Sequence, residues 1–159
     1  MLPKNNKLVK NTAELKALCS GYTNQNKKIV LTNGCFDILH PGHIHLLRKA
    51  KLLGDILIVG LNSDKSVKIL KGNNRPINKE LDRIKLLSSL RYIDYVTVFN
   101  EETPLNLIKQ IIPNVLVKGS DYDSKNVVGA EFVIENGGTV EIIKLKKDFS
   151  TTKLINNFK

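Results

Sequence analysis

Tryptophan is absent from this sequence, and aromatic residues of any kind make up only 6% of its 159 positions. A basic stripe interleaved with aromatics, the footprint of a nucleic-acid groove, therefore has little to draw on. The charge balance of 25 basic to 15 acidic residues still leaves a net +10. Because the lysines are spread along the whole chain, that excess points to a small phosphorylated substrate and not to nucleic acid. Long apolar runs are also missing. None nears the roughly 20 residues needed to cross a bilayer, and the opening "MLPKNNKLVKN" lacks the apolar stretch of a secretory signal. No membrane association is expected. Two cysteines, Cys19 and Cys35, are too few for a disulfide framework, so reduced thiols and a cytoplasmic location are the expectation.

Against these absences stands a regular alternation. Compact apolar runs at 28–32, 55–61, 95–99, 114–119 and 139–145 read as buried strands. Helical patterns at 42–54, 82–91, 103–112, 126–138 and 150–158 lie between and after them, with Thr103 as an N-cap and Pro104 at the first helical position of the third. Residues 1–27 read as a leader with one short helix around "AELKALC", and 28–159 as a single domain. The expected fold is α/β: a doubly wound, Rossmann-like parallel sheet of five strands with helices on both faces. Such sheets bind ligands at the carboxyl ends of their strands.

Histidine is scarce, and its placement is telling. The three histidines, His40, His43 and His45, all fall in "TNGCFDILHPGHIH", the turn from the first long strand into a helix. Free N–H groups and the helix dipole make that position a phosphate site. Gly34 and Gly42 permit close backbone approach, and Pro41 suits a first helical turn. His40 and His43 can face one anion together. Zinc is disfavoured, since His43 and His45 point apart on a helix and no further Cys or His completes a shell. His45 reads as a surface or packing residue. Other strand ends add groups suited to phosphate: Asn62 and Asp64, Lys71 and Arg75, Lys118 and Asp121, and the hydroxyl run Ser150-Thr151-Thr152 at a helix start.

The run Gly34-Cys35-Phe36-Asp37-x-x-His40-x-Gly42-His43 resembles the GxFDxxHxGH signature of the nucleotidyltransferase superfamily that includes cytidylyltransferases. "STT" resembles its second signature, although Ile155, Asn156 and Asn157 stand where a basic residue is common; Lys153 and Lys159 are the nearby substitutes. "LKGNNRPIN", "DRIKLLSSL", "DYVTVFNEETP", "LVKGSDY" and "NGGTVEII" resemble more closely the branch of heptose 1-phosphate adenylyltransferases. The resemblance spans about residues 28–155. That branch is often fused to a sugar kinase, for which the leader is too short.

The resemblance implies in-line transfer of an adenylyl group from ATP to a sugar 1-phosphate, giving ADP-heptose and pyrophosphate for lipopolysaccharide or other surface-glycan synthesis. Mg²⁺ would accompany the nucleotide, with no protein metal ligands assigned. His40, His43 and Lys71 would be catalytic. Cys35 and Phe36 (through backbone), Gly42, Lys118, Gly119, Asp121, Ser150, Thr151 and Thr152 would border the nucleotide. Arg75 and Arg83 are weaker candidates for substrate phosphate. Asp37 would brace the loop or help hold the metal, with Asn62 and Asp64 in support. A homodimer is left open. Cytidylyl transfer to glycerol 3-phosphate is the rival chemistry, disfavoured by "LVKGSDY" where a tryptophan-bearing loop is usual. A non-catalytic nucleotide- or nucleic-acid-binding module is the rival class. Cys35 as a nucleophile has no task in in-line transfer.

Overall fold

A computed structural model describes residues 7–119 and 126–144. The five expected strands are present as β2 (Ile29–Gly34), β3 (Ile56–Asn62), β4 (Tyr95–Phe99), β5 (Val115–Gly119) and β6 (Thr139–Ile143). The sheet nevertheless has six strands, because leader residues Leu8–Val9 form β1 and pair in parallel with Val96 and Thr97. The spatial order is β1-β4-β3-β2-β5-β6, all parallel. The chain steps from β2 to β3 to β4 in one direction, then returns across β2 to add β5 and β6 on its other side. The reversal therefore falls between β2 and β5.

The central strands are apolar on both sides because both sides are covered. Along β2, Val30 faces one core and Ile29 and Leu31 the other, all with no solvent exposure. The first core is closed by α2 (Pro41–Lys51) through Leu46, Leu47 and Ala50, and by α4 (Glu80–Ser89) through Ile84 and Leu87. The second is closed by α1 (Thr12–Asn24), α5 (Leu105–Ile111) and α6 (Ala130–Glu135), which supply Leu15, Cys19, Leu107, Ile108, Ile111 and Val133. Each fully buried aliphatic side chain of this kind contributes about 1.5–3 kcal/mol relative to exposure.

Several helix boundaries differ from expectation for local reasons. The leader helix α1 is longer than "AELKALC": Asn11 caps it by accepting from the Glu14 amide, and it runs 13 residues. Pro104, not Thr103, stands at the cap of α5, one residue later than the expected start. The expected helix over 126–138 shrinks to Ala130–Glu135. Gly129 sits at φ +82 ahead of it, where a Cβ would lie 2.5 Å from the Ile108 side chain. Residues Asp64–Lys71 form an additional helix, α3, capped by Ser63. The last helix, 150–158, lies outside the described residues. No helix among the described residues is long and apolar enough to cross a membrane.

Candidate active site

The site grows from the carboxyl end of β2. After Gly34 the backbone turns through Phe36, which holds φ +44, a left-handed conformation costly for a bulky side chain. Burial offsets that strain: the Phe36 ring is 4% exposed, joins the first core and lies 5.1 Å from the His43 ring. His40 then caps α2 in extended conformation, with Pro41 just inside, and its side chain makes no capping hydrogen bond. It stacks on His43 instead, ring centroids 3.8 Å apart.

Nδ1 of His40 and Nδ1 of His43 are both buried without a hydrogen-bond partner among the described residues, as is the Thr32 hydroxyl. Thr32 shares the strand face of Val30, the face covered by α2. An unsatisfied buried polar atom costs about 1–3 kcal/mol, so three in one place mark a spot completed by something else. Burial, then the neighbouring His40, lowers the His43 pKa to about 4, against a small opposing effect from the Ile38 backbone. Burial lowers His40 as well. Both rings are therefore neutral at pH 7, each with one N–H to donate. Among the described residues no group of three His, Cys, Asp or Glu side chains is arranged to hold a metal.

Cations approach from the next strand end. Lys71 closes α3 and is exposed, and it lies within electrostatic reach of Cys35 together with Arg83 and Arg75. Burial outweighs those three charges and pushes the Cys35 thiol up, so it is protonated at neutral pH. Arg75 gives Nε to Asp37 at 2.6 Å, leaving its terminal nitrogens open. Asp37 also accepts from the amides of Ile77 and Asn78. Burial alone would raise the Asp37 carboxyl, but those amides and Arg75 hold it below the usual range. Its oxygens are thus committed, and of its two expected roles the geometry displays the brace.

Arg83 requires a correction as a phosphate ligand. Its side chain has no solvent exposure, and its guanidinium is consumed inside the protein. Nε donates to the Asn78 carbonyl, one Nη to the carbonyls of Cys35 and Asn62, the other to Asp64. Asn62 and Asp64 stand as supports: Asn62 also donates to Ser66, which in turn donates to the Glu101 carbonyl. Gly42 is buried at the start of α2. At the end of β5, Gly119 is buried and Lys118 donates to Asn33 across the strand-order reversal. Asp121, Ser150, Thr151 and Thr152 lie outside the described residues. The strained Phe36 and the orphaned Thr32 hydroxyl gave no signal in the sequence.

The cytidylyltransferase-like family model matches residues 31–157. The chain belongs to that family of nucleotidyltransferases. Among its relatives are the bifunctional protein HldE of Campylobacter fetus, 56% identical over 133 residues, and that of Campylobacter jejuni strain NCTC 11168, 52% identical over 153. These alignments cover 84% and 96% of this chain but only 28% and 32% of the relatives, so the chain spans under a third of their length. A lipopolysaccharide core biosynthesis protein from Thermoplasma volcanium is 31% identical, with a TM-score of 0.63 over 77% of this chain and 99% of that one. Pantoate-beta-alanine ligase from Francisella tularensis, 16% identical at a TM-score of 0.62 over 93% of this chain and 75% of that one, shares the fold.

Proposed function

We propose that this nucleotidyltransferase transfers the adenylyl group of ATP to heptose 1-phosphate, releasing pyrophosphate and giving ADP-heptose for surface-glycan synthesis. The observation that carries nucleotidyl transfer is the stacked, neutral His40–His43 pair at the start of α2, with both Nδ1 atoms unpaired. Phosphate oxygens are the acceptors such donors lack. The HldE relatives and the lipopolysaccharide core protein support the heptose branch, as do the "LKGNNRP" and "LVKGSDY" segments.

The chemistry needs no protein nucleophile. A sugar phosphate oxygen attacks the α-phosphorus in line, and the protein must align two polyanions and stabilise the charge that develops. His43 donates to the transferring phosphate, with His40 beside it and the α2 dipole adding a fixed partial positive charge. Lys71 meets incoming phosphate. Arg75, steadied by Asp37, can offer its terminal nitrogens to the same charge. Mg²⁺ would ride on the triphosphate, since the described side chains build no metal site, and would neutralise charge on the departing pyrophosphate.

A matrix of nucleoside triphosphates against sugar and polyol phosphates tests the reading. Pyrophosphate release should require ATP, heptose 1-phosphate and Mg²⁺ together. The family's cytidylyl character keeps a second reading in the same matrix: faster turnover of CTP with glycerol 3-phosphate would overturn the branch assignment.

A further inference from the structure

Arg83 is the largest side chain fully enclosed in the described structure, yet it carries a charge. A buried ion pair is a weak source of stability, because desolvation offsets much of the attraction. An apolar residue of similar volume would seat α4 on the sheet about as well. What an apolar residue could not do is choose the direction of a peptide group. One Nη of Arg83 holds the Cys35 carbonyl at 2.8 Å and the Asn62 carbonyl at 2.7 Å. The peptide joining Cys35 to Phe36 is planar and trans, so its carbonyl and its N–H point in opposite directions. Fixing the carbonyl against Arg83 therefore turns the Phe36 N–H away from the buried guanidinium. That N–H makes no hydrogen bond among the described residues. It belongs to the residue with φ +44, which a free chain would seldom adopt.

The guanidinium also reaches the Asn78 carbonyl and the Asp64 carboxylate. One side chain thus ties together the segments after β2 and β3 and the loop that follows Lys71. We infer that Arg83 is a positioning residue for nucleotidyl transfer: it aims the Phe36 amide at the nucleotide phosphates while touching none of them. The inference rests on the proposed reading of the site for its consequence in turnover, but the direction of the amide can be read without turnover.

The experiment compares wild type with Arg83→Met, which keeps bulk without donors, and Arg83→Lys, which restores charge and part of the donor set. Folding is checked by circular dichroism and thermal melting. The amide of Phe36 is followed by ¹H–¹⁵N NMR during titration with a non-hydrolysable ATP analogue and Mg²⁺. In wild type the Phe36 amide should shift strongly with nucleotide, in folded Arg83→Met it should not, and Arg83→Lys should recover part of the response. In turnover, Arg83→Met should lose on the order of 10²-fold in kcat, the scale of one misdirected backbone donor, with KM for ATP near wild type. A Phe36 amide that ignores nucleotide in wild type, or responds equally in folded Arg83→Met, overturns the inference. A wild type that shifts with nucleotide but turns over no heptose 1-phosphate overturns the proposed function and leaves this one standing. If Arg83→Met does not fold, the Arg83→Lys response decides: a Phe36 shift identical to wild type with lowered kcat would count against it.

Discussion

Two neighbouring segments treat their polar groups in opposite ways. In the loop 35–43 the donors are left without partners: both histidine Nδ1 atoms are buried and unpaired, and the nearby Thr32 hydroxyl shares their condition. In the loop 72–79 they are matched inside the protein. Asp37 receives Arg75, Ile77 and Asn78, and the Asn78 carbonyl receives Arg83. The first segment is arranged for a visitor, and the second is arranged to hold the first in place. A site of this kind separates the groups that meet substrate from those that fix their geometry, and only the former carry unsatisfied bonds.

The sharpest way to break the contrast is to remove one waiting donor. His43→Ala should lower kcat by about 10²–10³, roughly 3–4 kcal/mol, while the melting temperature changes little because no protein hydrogen bond is lost. Steady-state kinetics with thermal melting checks this. A variant with normal kcat and only a raised KM would assign His43 to binding alone. Lys71→Ala should have a smaller effect on kcat and should raise KM as well, since an exposed cation attracts phosphate in the ground state too.

A third expectation concerns pH. The unfolded chain protonates its histidines near 6.5, whereas folded His43 resists protonation until about 4, and His40 is shifted in the same direction. Between those values the unfolded state binds more protons, so stability falls as pH is lowered from about 6.5 toward 4. Below that the loss is complete. Melting curves of wild type and His43→Gln across this window should converge at low pH relative to their separation at pH 7. Parallel curves would show that the ring is not shielded. The smallest effect is expected from Cys35→Ala. The thiol is protonated and only its carbonyl is engaged, by Arg83, so the variant should keep activity of wild-type order in the pyrophosphate-release assay.

The five longer strands were legible because strands buried on both faces must be continuous apolar runs, and little but a parallel sheet suits them. β1 was not legible: two residues in a polar leader carry no periodicity, and they become a strand only because the edge of β4 is there to pair with. Nor was α3, whose Ile69 and Leu70 are exposed and draw no apolar stripe. In the site, the crowding of His40 and His43 at a strand-to-helix turn could be read from spacing alone. Arg83 could not. An arginine in sequence is a surface cation until tertiary structure supplies four acceptors around it, and the phosphate role first given to it followed from charge without burial.

β1 has a further consequence, for how the molecule keeps to itself. A row of open N–H and C=O groups along the outer side of β4 would be a template for pairing with another chain. Leu8 and Val9 occupy that row beside Val96 and Thr97, and Lys7 fastens the segment by donating to the Leu90 carbonyl. The new margin is only two residues long with lysine on either side, Lys7 and Lys10. Short, charged margins discourage a second copy from adding on. The leader thus serves as a selvedge, finishing the sheet on the side away from the histidines.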